Sequence, residues 1–520
     1  MKNKPAPFPE PDTIPRMMAK NINSLSAGLL AGQFFLKGAM KYINEFNVPF
    51  WTSLEAFLSL EKTKTLRFSP FKNGFDYFKL LQFNQQIAEK GFFSSFSSMN
   101  SYHSRQWSDG FAALLRTLFL EEGCALPEYL DRLAETFSTV IDKYPRAIAD
   151  IKSEYGFHFE NGNYTLAAET ERFLLYQVLP TARGVAVRGD GKPILIVPPY
   201  VLGPSILAFL PGENKSYVHA FANQGIPTYI RIMKDIHATA AVQVMTGEDD
   251  AADTGHFCSI IMKKHHKKVT LNGFCQGGFI AVVDYLTGEL DHSVDALITC
   301  VAPMDGTRSK SLVEYLQHLP RRYRDLGYAV KSLPGGNQVV DGQVMSWVYK
   351  LKSMEREAPL FTFYRDLTMF EELADRNAEI NKTWAALSHW LIYDRTDLPV
   401  AITQMSFDSY TIPVSPDGEL PFRLFNRPLN FKRIQENNIP YLICYAEKDD
   451  LVDKAAALAP TDFVQAQVTV FPKGHGAIAT SWSDPKSECA LHTRFGDHYS
   501  GPVRFQLDLE ENAALSGKKS

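Results

Sequence analysis

The sequence has little of what marks metal-binding, disulfide-rich or nucleic-acid-binding proteins. Its six cysteines are scattered, without a Cys-x-x-Cys pair or histidine-rich spacing, which argues against a zinc site and a disulfide framework. Lysine and arginine number 54 against 58 aspartates and glutamates, and the formal net charge is -4, so no basic excess is available for nucleic-acid phosphates. We therefore expect no metal, no disulfide and no nucleic-acid partner.

Long apolar runs are also missing. The first twenty residues contain five prolines and no apolar segment of a secretion signal. No later stretch reaches the roughly 18 apolar residues that a membrane span needs. We expect no transmembrane segment and a cytoplasmic location.

At 520 residues, the chain is longer than one compact core usually requires. Hydrophobic residues make up 45% and charged residues 22%, as in ordinary globular proteins. Helical spacing dominates the first third, for example from Phe111 to Glu121 and from Leu126 to Tyr144. We predict a mostly helical N-terminal accessory region over residues 1–185, a catalytic domain over 186–500 and a C-terminal tail over 501–520.

Short β-branched runs alternate with helical stretches after residue 191. Near-continuous apolar strands separated by helices indicate a parallel sheet that is covered on both faces. This rhythm stops between about residues 305 and 433, which predicts a cap inserted into an α/β domain. The predicted strands are Ile194–Val197, Thr228–Ile232, Val269–Asn272, Leu297–Val301, Tyr441–Tyr445 and Val468–Phe471.

The most informative motif is Gly-Phe-Cys-Gln-Gly-Gly over residues 273–278, between a predicted strand and a predicted helix. It has the form of the nucleophile elbow Gly-x-Ser-x-Gly with Cys275 in place of serine, and small residues flank the nucleophile because the turn is tight. The helix N-terminus favours a thiolate at Cys275, and the Gln276 amide is a candidate oxyanion donor. The alternative is a glycine-rich turn with a buried cysteine.

An elbow of this type predicts an acid and then a histidine, each after a later strand. Asp449 follows the fifth predicted strand, and His475 follows the sixth between two glycines. We predict that Cys275, Asp449 and His475 form a catalytic triad on an α/β-hydrolase fold with a mostly parallel central sheet. The neighbouring Asp450 and Glu447 are alternatives for the acid.

A second oxyanion donor is expected in the loop after the first predicted strand. That strand ends in Pro198-Pro199, and Pro199 has no N–H group to donate. The amide of Tyr200 or Val201 is therefore the candidate. The alternative is that the two prolines only make the loop rigid.

From about Glu169 to Pro485, the chain resembles the catalytic part of the poly(3-hydroxyalkanoate) synthases. The family's acid motif places its aspartate at the position of Asp449, which favours Asp449 over Asp450. The segments that carry the resemblance are Ile196–Tyr200, Ala222–Pro227, Gly273–Gly278, Leu333–Gly336, Asp341–Met345, Asp394–Pro399 and Gly474–His475.

The resemblance implies that Cys275 accepts the acyl group of (R)-3-hydroxyacyl-CoA as a covalent thioester, with release of coenzyme A. His475 would be the base, and Asp449 would orient it. The product would be a polyester, so the polyester chain or the surface of a storage granule is an expected partner. No cofactor is implied beyond the coenzyme A thioester that serves as substrate, and a homodimer is left open.

Two other functions fit the same residues. A cysteine-dependent thioesterase or an intracellular polyhydroxyalkanoate depolymerase would use the triad with water as the acceptor, so the outcome depends on how well water is excluded. A non-catalytic granule-associated protein would not need an ordered triad, which argues against it. The resemblance also implies that the cap covers Cys275.

Overall fold

A computed structural model describes residues 32–44, 70–119, 125–310, 326–350, 358–374 and 380–517, and the single positions 29, 55, 313 and 316. This part of the chain forms two compact units. The first unit contains the helices before Asp150 and the segment Trp347–Ala385, and the second contains Ile151–Ser346 and the chain from Ala386 onward. The proline-rich first twenty residues lie outside the described residues.

The described part of the first unit is helical, and the second unit contains both helices and strands. The helices are α1 (residues 32–44), α2 (Pro70–Phe119), α3 (Ala125–Ser138), α4 (Tyr144–Asp150), α5 (Tyr217–Ala222), α6 (Ala240–Gln243), α7 (Gly247–His265), α8 (Gln276–Leu286), α9 (Gly342–Lys350), α10 (Pro359–Ala374), α11 (Lys382–Tyr393), α12 (Val400–Thr411), α13 (Lys432–Glu436), α14 (Lys454–Ala457) and α15 (Pro502–Gly517). The strands are β1 (Tyr164–Glu169), β2 (Phe173–Val178), β3 (Ile194–Val197), β4 (Thr228–Met233), β5 (Val269–Phe274), β6 (Val294–Cys300), β7 (Val330–Ser332), β8 (Gln338–Val340), β9 (Leu398–Pro399), β10 (Glu419–Leu424), β11 (Arg427–Asn430), β12 (Tyr441–Ala446), β13 (Gln467–Phe471), β14 (Arg494–Phe495) and β15 (Tyr499–Ser500). Among the described helices, none is apolar over the length that a bilayer crossing requires.

The first unit is built around the long helix α2. This helix begins at Pro70, and the missing N–H of proline costs no hydrogen bond there because the first N–H groups of a helix have no partner within it. No further proline interrupts its 50 residues. Helix α10 packs along α2 and α3. Glu371 of α10 accepts hydrogen bonds from Arg105 Nη2 at 2.7 Å and from Gln106 Nε2 at 2.6 Å. The apolar side chains that α10 buries include Phe363, Leu367 and Phe370.

A mostly parallel sheet forms the core of the second unit. Its strand order is β1-β2-β4-β3-β5-β6-β12-β13. The pairs from β4 to β13 are parallel, whereas β1 with β2 and β2 with β4 are antiparallel. Every residue of β3 and β5 is buried, as expected for central strands covered by helices on both faces. This is the α/β-hydrolase fold, and the predicted fold class is confirmed.

The sheet begins earlier in the chain than the sequence indicates. Strands β1 and β2 lie within the region 1–185 that was assigned to the helical accessory part, and β2 pairs with β4 from Phe173 to Val178. Strand β1 is exposed at most positions, so it lacks the apolar run of a central strand. The second unit therefore begins near Ile151.

The predicted C-terminal tail contains helix α15. Val503 and Gln506 of this helix are buried, and Gln506 Nε2 donates to the Lys192 carbonyl at 2.9 Å. Glu510 forms an ion pair with Arg188 at 2.5 Å. These contacts attach the helix to the turn before β3, which is why the segment is ordered as a helix.

The chain between β6 and β12 leaves the central sheet. It contains the small sheet β7-β8-β9, the hairpin β10-β11 and helices α9 to α12. This is the segment predicted as a cap over residues 305–433. Its middle part, Trp347–Ala385, belongs to the first unit, so the segment is divided between the two units.

Candidate active site

Cys275 lies on the sharp turn between β5 and α8. Its backbone has φ 53° and ψ -127°, a conformation that residues other than glycine rarely adopt. The Cys275 N–H donates to the Cys300 carbonyl at 2.8 Å, and the Cys275 carbonyl accepts from the Gly278 N–H at 2.9 Å. These bonds hold the strained turn and leave the half-buried thiol at the carboxyl end of the sheet, as in a nucleophile elbow.

Close packing of this turn explains its glycines. A Cβ at Gly273 would lie 2.6 Å from the carbonyl carbon of Gly277. A Cβ at Gly277 would lie 2.5 Å from the Pro198 carbonyl oxygen and closer still to that of Val197. The elbow helix can therefore approach β5 and the loop after β3 only because these positions have no side chain.

Asp449 and His475 meet at the same end of the sheet, after β12 and β13. Asp449 Oδ2 lies 2.7 Å from His475 Nδ1. Asp449 Oδ1 accepts hydrogen bonds of 2.9 Å from the amides of Leu451 and Val452, so its own loop orients the carboxylate. The alternative acid Asp450 is exposed. The geometry favours Asp449 as the partner of His475.

The charges of this pair stabilise each other although both side chains are buried. Burial alone would lower the pKa of His475, but the Asp449 carboxylate and then Cys275 raise that pKa well above its ordinary value. Burial would raise the pKa of Asp449, but His475 and the two loop amides lower it. The Asp449 carboxylate thus stabilises the imidazolium that forms when His475 takes up a proton.

The second ring nitrogen of His475 is the atom that can exchange a proton with the thiol. Nε2 is buried and makes no hydrogen bond to a nitrogen or oxygen atom of the described residues, while a hydrogen bond with the Cys275 side chain contributes to the raised pKa of His475. The His475 ring packs against Phe274, the residue before Cys275, with 6.0 Å between ring centroids. Because Nδ1 is held by Asp449, Nε2 is left for the thiol, as in a triad.

The predicted oxyanion donors differ in what their amides bind. The Gln276 amide is the first of α8, and none of the backbone hydrogen bonds described for this region uses it. The Val201 amide donates to Oε1 of Gln276 at 3.2 Å. In the same part of the chain, the Tyr200 amide is not used in a backbone hydrogen bond. Of the two loop candidates, Tyr200 therefore has the amide that is left for an oxyanion.

Residues that sequence analysis did not identify lie around this group. Gln276 Nε2 donates to Ser406 Oγ of α12 at 2.8 Å. Trp390 Nε1 of α11 donates to the Leu202 carbonyl at 3.2 Å, and a Cβ at Gly476 would lie 3.8 Å from the Trp390 ring. Trp390 lies four positions before Asp394–Pro399, a segment that carries the family resemblance. This closeness is the only sequence feature that could have indicated a role for Trp390.

Three charged side chains are buried under the Tyr200 loop, and sequence analysis missed them too. Arg231 of β4, Asp250 of α7 and Asp284 of α8 are each exposed by 1% or less. Arg231 and Asp284 are the only charged residues within their apolar strand and helix, and this isolation is the signal that could have identified them.

The described ranges contain no cluster of His, Cys, Asp and Glu side chains that is arranged for a metal ion. Among the described cysteines other than Cys275, all are free thiols in buried positions: Cys258, Cys300, Cys444 and Cys489. Cys124 lies outside the described residues. Cys275 is the only described cysteine that is not fully buried.

No protein-family model matches the chain, and no curated protein matches it. Among solved structures, it is similar to the esterase RhEst1 from Rhodococcus sp., with 13% identity, 68% of this chain and 98% of that chain covered, and a TM-score of 0.34. It is also similar to a carboxylesterase structure from Nitrososphaera gargenis (12% identity, 61% and 92% covered, TM-score 0.35) and to naproxen esterase from Bacillus subtilis (11%, 66% and 93%, TM-score 0.29). At these TM-scores the likenesses carry no argument about substrate or reaction.

Proposed function

We propose that this protein is an acyltransferase of the polyhydroxyalkanoate synthase type, in which Cys275 carries the acyl group as a thioester. The observation that supports it is the 2.7 Å contact between Asp449 and His475 at the sheet edge where Cys275 lies on an elbow. The resemblance over Glu169–Pro485 suggests (R)-3-hydroxyacyl-CoA as the substrate.

Acylation of Cys275 requires two proton transfers, one from the thiol to His475 and one from His475 to the leaving group. His475 Nε2 accepts the thiol proton, and the Cys275 sulfur attacks the thioester carbonyl. The oxyanion that forms accepts hydrogen bonds from the amides of Gln276 and Tyr200. When this intermediate collapses, the bond between carbon and the coenzyme A sulfur breaks, and His475 returns the proton to the leaving thiolate. One thioester replaces another, so no further energy source is required.

Elongation uses the same groups with a hydroxyl as the nucleophile. His475 removes the proton from the 3-hydroxyl of a second acyl group, whose oxygen attacks the thioester on Cys275. An ester bond forms, and the Cys275 thiolate leaves. Sulfur suits this reaction because a thioester remains activated toward a hydroxyl group, whereas an ester on serine would be no more reactive than the product.

Water must be kept from the acyl-enzyme if it is to react with a hydroxyl group. The contacts of Ser406 with Gln276 and of Trp390 with Leu202 support such exclusion, since both side chains come from the segment inserted after β6. Hydrolysis to the free acid is the competing outcome for the same triad.

We assign the contact with the polyester to an exposed apolar face of α2, called the aromatic face. At 100° per residue its members lie within an arc of about 100°. This arc is wide and rich in aromatic rings, whereas a coiled-coil seam is a narrow heptad stripe, so a soft apolar surface is the better match. Its members are each more than half exposed: Phe92, Phe93, Phe96, Trp107, Phe111 and Leu118.

Incubation with 3-hydroxybutyryl-CoA tests the reaction. We expect release of coenzyme A together with polymer, and Cys275→Ala should reduce this release to the uncatalysed level, whereas Cys489→Ala should retain it. Coenzyme A release with free acid and no polymer would instead indicate a thioesterase. An absence of coenzyme A release by the wild-type protein would overturn the proposal.

Sedimentation with polyester particles tests the aromatic face. The triple variant Phe92→Ser, Phe93→Ser, Phe96→Ser should bind the particles more weakly than the wild type because it loses three exposed rings. A matched control replaces three exposed apolar residues of the second unit by serine: Leu166, Leu391 and Ile412. If both triple variants lose binding equally, the assignment to α2 is wrong.

A further inference from the structure

The Tyr200 side chain turns into the protein and ends in a buried ionic cluster. Its hydroxyl donates a hydrogen bond to Asp250 Oδ2 and accepts one from Arg231 Nη2 at 3.0 Å. Arg231 Nη1 donates to the other carboxylate oxygen of Asp250. Tyr200 itself is 5% exposed, and two charged side chains hold its hydroxyl by hydrogen bonds.

This cluster continues to the helix that follows the nucleophile. Thr254 Oγ1 donates to Asp284 Oδ2 at 2.8 Å, and Arg231 Nη1 lies 3.7 Å from the same oxygen. Asp284 belongs to α8, whose first residue is Gln276. The cluster therefore joins the loop that carries one candidate oxyanion donor to the helix that carries the other.

Packing alone does not hold the loop on this side. A cavity of about 280 Å³ borders it and is lined by Pro198, Pro199 and Tyr200, together with Arg231. A loop beside a cavity can shift without overlapping its neighbours, because the opposing atoms are absent. A directional contact is then needed to fix its position, and the Tyr200 hydroxyl supplies one.

Burial of the charged groups in this cluster costs free energy, so the cluster needs an explanation other than the filling of space. Burial raises the pKa of Asp284 well above its ordinary value, and the neighbouring Asp250 raises this pKa further. The Asp284 carboxyl group therefore tends to hold its proton. Apolar residues of similar volume would often be as stable as such a cluster, so stability alone is a weak explanation for it.

We propose that Tyr200 is a positioning residue for the oxyanion hole: its hydroxyl, held by Asp250 and Arg231, fixes the main-chain amide of Tyr200 relative to the Gln276 amide. The contact from the Val201 amide to Gln276 Oε1 holds the loop on the other side of that amide. This inference rests on the proposed acylation of Cys275 but not on the identity of the acyl group or of its acceptor.

Two reactions of Cys275 separate positioning from general structure. Acylation by an activated ester such as p-nitrophenyl acetate passes through an oxyanion, whereas alkylation by iodoacetamide does not. Tyr200→Phe keeps the ring and removes only the hydroxyl. We expect it to lower the acylation rate about 10- to 100-fold, within the range for a weakened oxyanion donor, and to leave the alkylation rate unchanged.

Tyr229→Phe is the matched control, because it removes another buried tyrosine hydroxyl, one that contacts His265 Nε2 at 2.8 Å, away from the loop. It should leave both rates unchanged. Asp250→Asn provides a second variant of the cluster and should reduce acylation selectively, as Tyr200→Phe does. Equal acylation by wild type and Tyr200→Phe, or an equal fall in acylation and alkylation, would overturn the inference. Absence of acylation in the wild type would instead refute the proposed function.

Discussion

Asp449 and His475 have opposite charges in buried positions, so their contact makes stability depend on pH. The lowered pKa of Asp449 means that its contribution is complete above its unfolded pKa of about 3.9 and is lost as pH falls through the folded value. The raised pKa of His475 means that its contribution is complete below its unfolded pKa of about 6.5 and is lost as pH rises through the folded value.

Asp449→Asn should therefore destabilise the protein most between about pH 4 and pH 6.5, by about 1.5 to 3 kcal/mol, because it removes a buried charged hydrogen bond. The difference from the wild type should shrink toward more acidic and more alkaline pH. Urea unfolding of both proteins across this range measures it. A difference that does not vary with pH would contradict the ion pair.

The neighbouring carboxylate provides the control for the acid assignment. Asp450→Asn should leave the rate of acyl transfer to a second hydroxyl within about twofold of the wild type. Asp449→Asn should lower the same rate by about 10²-fold or more, because this step needs His475 as a base. Single-turnover kinetics with 3-hydroxybutyryl-CoA measures both. If Asp450→Asn is the more damaging change, the acid must be reassigned by one residue.

At the residue scale, the sequence identified side chains that follow a rule of chain order. Cys275 directly follows its strand, and Asp449 and His475 come within four residues of theirs, so parallel pairing brings all three to one edge of the sheet. The contacts of Gln276 and Trp390 follow no such rule. They depend on how an inserted segment folds back, which local sequence patterns do not determine.

The elbow between β5 and α8 depends on backbone atoms that nearly touch. Gly277→Ala would place a Cβ 2.5 Å from the Pro198 carbonyl oxygen, and neither backbone segment can move without disturbing β3. We expect a loss of about 1 to 3 kcal/mol or more in the free energy of unfolding, as for overpacked cores. Urea denaturation measures this loss.

Gly474→Ala is the control for this substitution. A Cβ there would meet only the Lys448 carbonyl oxygen at 3.5 Å, which is ordinary van der Waals contact. The change should stay within about 0.5 kcal/mol of the wild type. Equal destabilisation by the two substitutions would show that crowding at the elbow is not the cause.

At the scale of elements, the sequence predicted the central strands and the edge strand β13, but not β1 and β2 at the opposite edge. Strand β6 begins at Val294, three residues before the predicted start at Leu297. The prediction began too late because Asp295 interrupts the apolar run, and the Asp295 carboxylate binds Lys192 Nζ. Strand β1 is mostly exposed and carries no buried run at all. An apolar run identifies a strand whose side chains are largely covered, and the exposed β1 offers no such run.

The division of the chain into two units places a middle segment with the N-terminal helices. Removal of residues 1–150 would uncover the buried side of α10, where Phe363 and Leu367 have no exposed surface. The truncated protein should aggregate or bind a hydrophobic dye far more strongly than the full chain. Gel filtration and dye fluorescence measure this.

A second truncation distinguishes this effect from a general loss of stability. When residues 347–385 are also replaced by a short glycine-serine linker, no segment of the first unit remains, and the protein should recover solubility. A monomeric, dye-free protein after removal of residues 1–150 alone would contradict the expectation. The simple N-terminal boundary expected from the sequence could not show this, because helical periodicity reveals a helix but not its packing partner.

The same division has a consequence for biosynthesis. Helix α4 ends at Asp150 and α10 begins at Pro359, so at about 5–20 residues per second the ribosome needs roughly 10–40 s to make the chain between them. During that interval the N-terminal helices lack the partner that covers their apolar side, while β1 to β6 are already emerging. The helices that are made first are thus among the last to complete their packing, and a chaperone that shields exposed aromatic side chains would act in this interval.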